Sequence, residues 1–354
     1  MDQLKTTNGT GEATAAIRAG DESAFAALAE RHRGELLVHC YRMLGSFDDA
    51  EDALQDTLLR AWRYRESLKD GAPLRPWLYR VATNTCLDAI ARDPRRSALA
   101  RTANEAGGSR RLGPAEVTWL QPFPDHLLEA AARRESEPEA LVLTQESIAL
   151  AFLTVIQLLT PQQRAALILR DVLGWSAKEA ADLLGTSVAG ANSALQRARA
   201  TLRAHLPSRK PEWPPGVEAS VAERELLRKY VDAAERQDLA ALESLIREDA
   251  VFRMPPEPSI TTGRDAILRL WADGGFGSER FGRVRCATTR ANRQPAVAYY
   301  VLRNGGTAYR ALTLVVLRIE DGRIAEVVNF VPEVFEAFGL PPTLESATRT
   351  TEPS

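Results

Sequence analysis

Asp48-Asp-Ala-Glu-Asp-Ala-Leu-Gln-Asp-Thr-Leu-Leu-Arg-Ala-Trp62 is the stretch from which the fold of this chain can be read. Ala50, Ala53, Leu54, Leu58, Ala61 and Trp62 recur at helical spacing and predict an amphipathic helix with this stripe turned inward. Asp52, Gln55 and Asp56 fall together on another side, at i, i+3 and i+4. Gly45-Ser46-Phe47-Asp48 just before it reads as the end of one helix and the cap of the next. Upstream, Asp21-Glu-Ser opens a helix whose apolar positions include Leu36, Leu37, Tyr41 and Leu44. Downstream, Asp70-Gly-Ala-Pro is a loop. A third helix carries Pro76 near its first turn and runs to about Arg92, before Pro94. The block 18–93 is therefore all helix.

Residues 94–138 hold Gly107-Gly108, Pro114, Pro122, Pro124 and Pro138 with little periodicity, and read as an interdomain linker. Helices resume over 139–206. Thr160-Pro161-Gln-Gln is an N-cap with proline in the first helical position, and Ser176-Ala-Lys-Glu179 is a capping box. The short helix ends at Leu184, Gly185-Thr-Ser187 is a turn, and a longer helix continues to about Leu206. Short helix, glycine turn and longer helix make a helix-turn-helix. In the second helix Val188, Ala191, Leu195, Ala198 and Leu202 form the expected buried seam. Asn192, Ser193, Gln196 and Arg197 lie on the open side, flanked by Arg199 and Arg203. The helix contains no acidic residue, as suits an element approaching phosphates. Asn and Gln suit adenine, and Arg suits guanine.

A proline-rich linker at 207–216 precedes a change of texture. Val217–Arg247 reads as helical. Strands are expected at Ala250–Met254, Val284–Arg290, Ala296–Leu302, Tyr309–Ile319 and Ile324–Phe330, with hairpin signals at Asn304-Gly-Gly and Asp321-Gly-Arg. Helices followed by a run of antiparallel strands give an α+β domain over 217–335, with 336–354 as a tail.

Composition limits the functions open to such a chain. Its 354 residues are 45% hydrophobic and 26% charged, with a net charge of −2, so any nucleic-acid binding must come from local surfaces. No apolar stretch spans a bilayer, and the first residues lack a signal-peptide core, which points to a cytoplasmic protein. Cys40, Cys86 and Cys286 lie too far apart for metal-ligand spacing, and no metal or other cofactor is expected.

The run 48–62 resembles region 2.2 of the sigma-70 family. Pro73-Leu-Arg-Pro-Trp-Leu-Tyr-Arg-Val-Ala-Thr-Asn-Thr-Cys-Leu-Asp88 resembles regions 2.3 and 2.4 of its extracytoplasmic-function members, and Asn192-Ser-Ala-Leu-Gln-Arg-Ala-Arg199 resembles region 4.2. The resemblance implies that Asp52, Gln55 and Asp56 bind the β′ clamp helices of core RNA polymerase. It implies that Trp77, Arg80, Asn84 and Asp88 hold the −10 element, and that Asn192, Ser193, Gln196, Arg197 and Arg199 read the −35 element. Contact with the polymerase β flap is implied as well. Trp77 reads equally as core, and Asp88 as a residue that orients a neighbour. In the family, a linker such as the one holding Trp119-Leu-Gln-Pro-Phe-Pro-Asp125 threads toward the polymerase active centre.

Residues 217–335 resemble a SnoaL-like cone domain. The resemblance rests on Tyr230-Val-Asp-Ala-Ala-Glu-Arg-Gln-Asp-Leu, Glu248-Asp-Ala-Val-Phe-Arg-Met-Pro-Pro256, Thr262-Gly-Arg-Asp-Ala-Ile267 and the turn Asn292-Arg-Gln-Pro-Ala296. The expected architecture is thus two all-α sigma domains followed by an α+β cone. Enzymes on the cone fold pair a carboxylate with His or Tyr, but this domain has no histidine, so no catalytic residue is assigned and regulation is the expected role. Asp249, Arg253, Tyr300 and Tyr309 are the residues that would line a pocket. An anti-sigma factor or a small-molecule ligand of the cone are the further partners such a chain would have. The rival reading is a ligand-responsive helix-turn-helix regulator, which accounts for 160–206 and 217–335 but leaves Asp52, Gln55 and Asp56 unexplained.

Overall fold

The computed structural model describes residues 12–69, 72–105, 117–132, 148–205 and 220–345. The chain divides into two compact units: Met1–Glu116 with His126–Ser208, and Val117–Asp125 with Arg209–Ser354.

After a short helix over residues 12–18, the first unit holds three packed helices, α1 (Glu22–Leu44), α2 (Phe47–Arg63) and α3 (Leu74–Arg92). Each boundary has a local cause. Asp21 caps α1 by accepting from the Ser23 and Ala24 amides at 2.9 and 3.0 Å. Gly45 ends it in the left-handed region at φ 73°, and the Ser46 hydroxyl caps α2 through the Asp49 amide. Leu36, Tyr41, Leu44, Ala50, Leu54, Ala61, Leu78 and Ala82 form the core between them. On α2 the buried stripe includes Thr57, whose hydroxyl donates to the Ala53 carbonyl at 2.6 Å, while Leu58 is only half-buried.

Helix α4 (Pro94–Glu105) follows directly, where the sequence suggests only linker. Pro94 stops α3 but occupies the first turn of a new helix, where its missing N–H is harmless. Arg96 anchors α4 to α2 through Asp49 at 2.5 Å. Helix α5 spans Asp125–Ala132.

The remainder of the unit comprises α6 (Leu150–Gln157), α7 (Pro161–Leu167), a π-helical turn (Ile168–Val172), α8 (Ala177–Leu184) and α9 (Val188–His205). The expected capping box forms at Ser176–Glu179, and the Thr160 N-cap proves to be a second one with Gln163. Gly185 makes the turn at φ 62°.

The second unit holds α10 (Val221–Glu235), α11 (Leu239–Leu245), β1 (Ile246–Arg253), β2 (Ile260–Thr262), α12 (Arg264–Asp273), β3 (Arg283–Ala291), β4 (Gln294–Leu302), β5 (Ala308–Glu320), β6 (Arg323–Phe330) and β7 (Thr343–Glu345). The expected single helical stretch is broken at Gln237, which has φ 55°, and restarts with Asp238 as cap. Val217 itself lies outside the described residues. Sheet order is β2-β1-β6-β5-β4-β3, with β7 on β5. The expected all-antiparallel run is corrected at one pair: β1 lies parallel to β6, because the whole β3–β6 meander separates them in sequence. Helices α10, α11 and α12 cover one sheet face through Leu226, Tyr230, Ala233, Leu242 and Ile267, packed on Phe252, Val297, Tyr299, Val315, Leu317 and Val327.

Candidate functional site

On α2, Asp52, Gln55 and Asp56 are all exposed, while Ala53, Leu54 and Thr57 between them are buried. The helix thus presents two carboxylates and an amide as one polar face, suited to arginines and amide donors.

On α3, Arg80, Asn84 and Asp88 are exposed at successive i+4 steps and Trp77 is half-buried beside them. Leu78, Ala82, Cys86 and Ile90 hold the opposite face in the core. Arg60 on α2 donates to the Asp88 carboxylate at 2.6 Å, an ion pair that joins α2 to α3.

On α9, Asn192, Ser193, Gln196 and Arg197 are exposed, and Ala191, Ala194, Leu195 and Ala198 are buried. The expected seam is corrected at its start: Val188 is 44% exposed, because the first turn projects beyond the turn at Gly185. Arg197 donates to the Ser193 hydroxyl at 2.7 Å. Arg199 is held apart from this group by a bidentate pair with Asp171 at 2.6 and 2.9 Å. The cause is local electrostatics, since Asp171 in the π-helical turn is a carboxylate within reach of a guanidinium. Sequence reasoning missed both partners, Arg60 and Asp171; each lies 28 residues from the side chain that it pairs with.

The residues named for a cone pocket do not converge. Asp249 is exposed and paired with Arg247 at 2.8 Å, and Arg253 is buried against Glu326. Tyr309 lies under Arg285, and Tyr300 packs edge-on to Phe335. On the helix-covered face the Tyr299 hydroxyl donates to Tyr230 at 2.9 Å, and burial pushes both phenols well up from their ordinary range. Among the described residues no cluster of His, Cys, Asp and Glu could hold a metal ion, and no helix is long and apolar enough to cross a membrane.

The segment 117–125 belongs to the second unit. Val117, Trp119, Leu120 and Phe123 are buried. The Phe123 amide donates to the Asn292 side chain at 2.8 Å, and the Asn292 amide donates back to the Phe123 carbonyl at 2.9 Å. Pro124 bridges Ala291, and Asp125 accepts from the Arg293 amide at 2.8 Å and from Arg290 at 3.3 Å. Burial pushes the Asp125 carboxyl up, only partly countered by Arg293 and Arg290. Asn292 and Arg293 both have positive φ, so the β3–β4 turn aims its amides at the segment. The sequence contains both pieces, Trp119–Asp125 and the Asn292-Arg-Gln-Pro turn, without a signal that they meet. In this form the segment is held by the cone instead of extending away from it.

Comparison with known proteins bears on all three parts. The family models for Sigma-70 region 2, Sigma-70 region 4 and the SnoaL-like domain match residues 28–96, 149–202 and 227–327. The chain is 39% identical to the ECF RNA polymerase sigma factor SigG of Mycobacterium tuberculosis over 341 residues, covering 95% of this chain and 88% of that protein. The chain belongs to the extracytoplasmic-function RNA polymerase sigma factors. This sigma factor is also 28% identical to SigJ of the same organism over 83% of its length and 88% of SigJ. The crystal structure of SigJ superposes with a TM-score of 0.57 at 22% identity, over 89% of this chain and 99% of that one, which establishes the shared fold. As a member of the family the protein binds core RNA polymerase, recognises −10 and −35 promoter elements and promotes initiation, and it acts with the polymerase inside the cell. The family's members are not enzymes. The helix-turn-helix regulator reading falls, because the region 2 match accounts for the helices which that reading left unexplained.

Proposed function

We propose that α2 is the polymerase-facing helix of this sigma factor, with Asp52, Gln55 and Asp56 as its contact residues. Their common exposed face over a buried stripe is the observation that carries this assignment. Trp77, Arg80 and Asn84 on α3 hold the −10 element, with Asp88 acting through Arg60. Asn192, Ser193, Gln196 and Arg197 on α9 read the −35 element, and Arg199 steadies that helix through Asp171. The protein works in the cytoplasm without a catalytic site of its own. Its cone regulates the sigma regions, in response to a small molecule or to a protein such as an anti-sigma factor. The deciding experiment is a competition for core polymerase. The Asp52→Ala, Gln55→Ala double variant is expected to bind at least tenfold more weakly with an unchanged melting temperature, since exposed positions cost little stability. Native affinity in that variant refutes the α2 assignment.

A further inference from the structure

The first turn of α9 carries no side chain that could hydrogen-bond a base. Ser187 caps the helix: its hydroxyl accepts from the Gly190 amide at 3.0 Å, and its carbonyl accepts from the Ala191 amide at 2.9 Å. Gly190 makes room for this cap, since a Cβ there would stand 2.6 Å from the Thr186 Oγ1. Val188 and Ala189 are exposed, and Ala191 is buried. From the cap to Asn192 the helix therefore offers only apolar surface.

Val188 occupies the first helical position and is 44% exposed. Among the described residues it is the one exposed large apolar side chain of region 4. Val188, Asn192 and Gln196 follow one another at i, i+4 and i+8, so the valine continues the exposed row that carries the polar readers. A recognition helix sets its N-terminal residues against base edges in the major groove. The bases there present donors and acceptors, and one apolar feature, the 5-methyl group of thymine. A valine has no hydrogen bond to give, so that methyl is the group it fits. Its branching at Cβ leaves one strongly preferred rotamer in a helix, so the two methyls are held in place before contact and little freedom is lost on binding.

We propose that Val188 is a specificity residue of the −35 interface, reading the 5-methyl group of a thymine by van der Waals contact in the major groove. This role rests on α9 being the −35 reader and adds to it a residue and the chemical feature of one base. Four residues separate Val188 from Asn192, about 6 Å at about 1.5 Å per residue, which corresponds to about two base-pair steps of about 3.4 Å. The thymine should therefore lie within about two base pairs of the one at which Asn192→Ala relaxes discrimination.

The test uses holoenzyme assembled from core polymerase and the full chain. A randomised −35 library first gives the preferred sequence. Each thymine in it, on either strand, is then replaced in turn by deoxyuridine, which keeps every hydrogen-bonding group and removes only the methyl. One replacement should weaken binding of the wild-type holoenzyme about fourfold, the equivalent of one lost methyl contact. Val188→Ala should bind the thymine promoter about fourfold more weakly and lose nothing further on that replacement, whereas Val188→Ile should stay sensitive to it. Melting temperature and affinity for core should match the wild type in both variants, because the position is exposed. A flat deoxyuridine scan, or the same response in Val188→Ala as in the wild type, overturns the role of Val188; relaxed discrimination in Arg197→Ala then leaves α9 in place as the reader. Unchanged discrimination in Arg197→Ala as well removes α9 as the reader and Val188 with it. Weakened core binding by Val188→Ala sets the side chain against polymerase instead and overturns the proposal too.

Discussion

Arg199 lies two turns beyond Asn192 on α9, and yet its guanidinium is committed to Asp171. Exposed pairs of this kind contribute only about 0.2–1 kcal/mol, so the pair matters less for stability than for where the charge points. Replacing Asp171 by Asn releases Arg199 toward phosphate. Non-specific DNA affinity should then rise, and the slope of log K against log salt should steepen by about 0.9, as measured by fluorescence anisotropy across a salt series. Arg197→Ala is expected to act differently. It should cost about 1–3 kcal/mol on the preferred −35 sequence and flatten discrimination at one base in a randomised library. His39 is the buried titratable residue of this region whose protonation should tell on stability. It is fully buried on α1, paired with the Thr83 hydroxyl at 2.9 Å, and burial followed by the nearby Arg42 lowers its pKa to about 3. A histidine with a depressed folded pKa stabilises above its unfolded value, near 6.5, and loses that contribution as pH falls toward 3. Region 2 should therefore lose at most about 1.4 kcal/mol per pH unit below 6.5, read as the unfolding midpoint in denaturant, and His39→Gln should remove most of that slope.

Helix boundaries were legible because their causes are local. Ser46, Thr160 and Ser176 cap helices in the structure as the sequence suggests, and Gly45 and Gly185 take the left-handed conformation at two helix ends. Ser176→Ala should cost about 1 kcal/mol in thermal unfolding of the helix-turn-helix, and Gly185→Ala somewhat more, since a Cβ is strained at positive φ. Periodicity likewise gave the polar face of α2 and the strands of the meander. What it could not give was any fact depending on a distant partner. Thr57 is polar by type but satisfies its hydroxyl within its own helix and is buried, whereas Val188 is apolar by type but starts a projecting turn and is exposed. Helix α4 was hidden because its composition is polar and its anchor, Arg96 to Asp49, spans 47 residues. Arg60–Asp88 and Asp171–Arg199 escaped for the same reason.

At the scale of the whole chain, the order of the three parts could be read in advance, but not the capture of residues 117–125 by the cone. Asn292 grips Phe123 across 169 residues of sequence, and no local pattern encodes that separation. Deleting the chain from 211 onward should therefore uncover this segment. Trp119, Leu120 and Phe123 lose their cover, so the truncated protein should be cut by chymotrypsin in this segment far faster than the full chain, as followed by mass spectrometry. Asn292→Ala should move the full chain toward the same cleavage pattern. Equal cleavage in all three proteins would show that the segment is protected by something other than the cone. The captured segment also has a consequence in time. A ribosome adding about 5–20 residues per second needs about 10–40 s to travel from residue 125 to the end of β6. During that interval regions 2 and 4 emerge complete while the partner of Phe123 does not yet exist. Each newly made molecule therefore passes through a brief youth in which residues 117–125 have no cone to hold them.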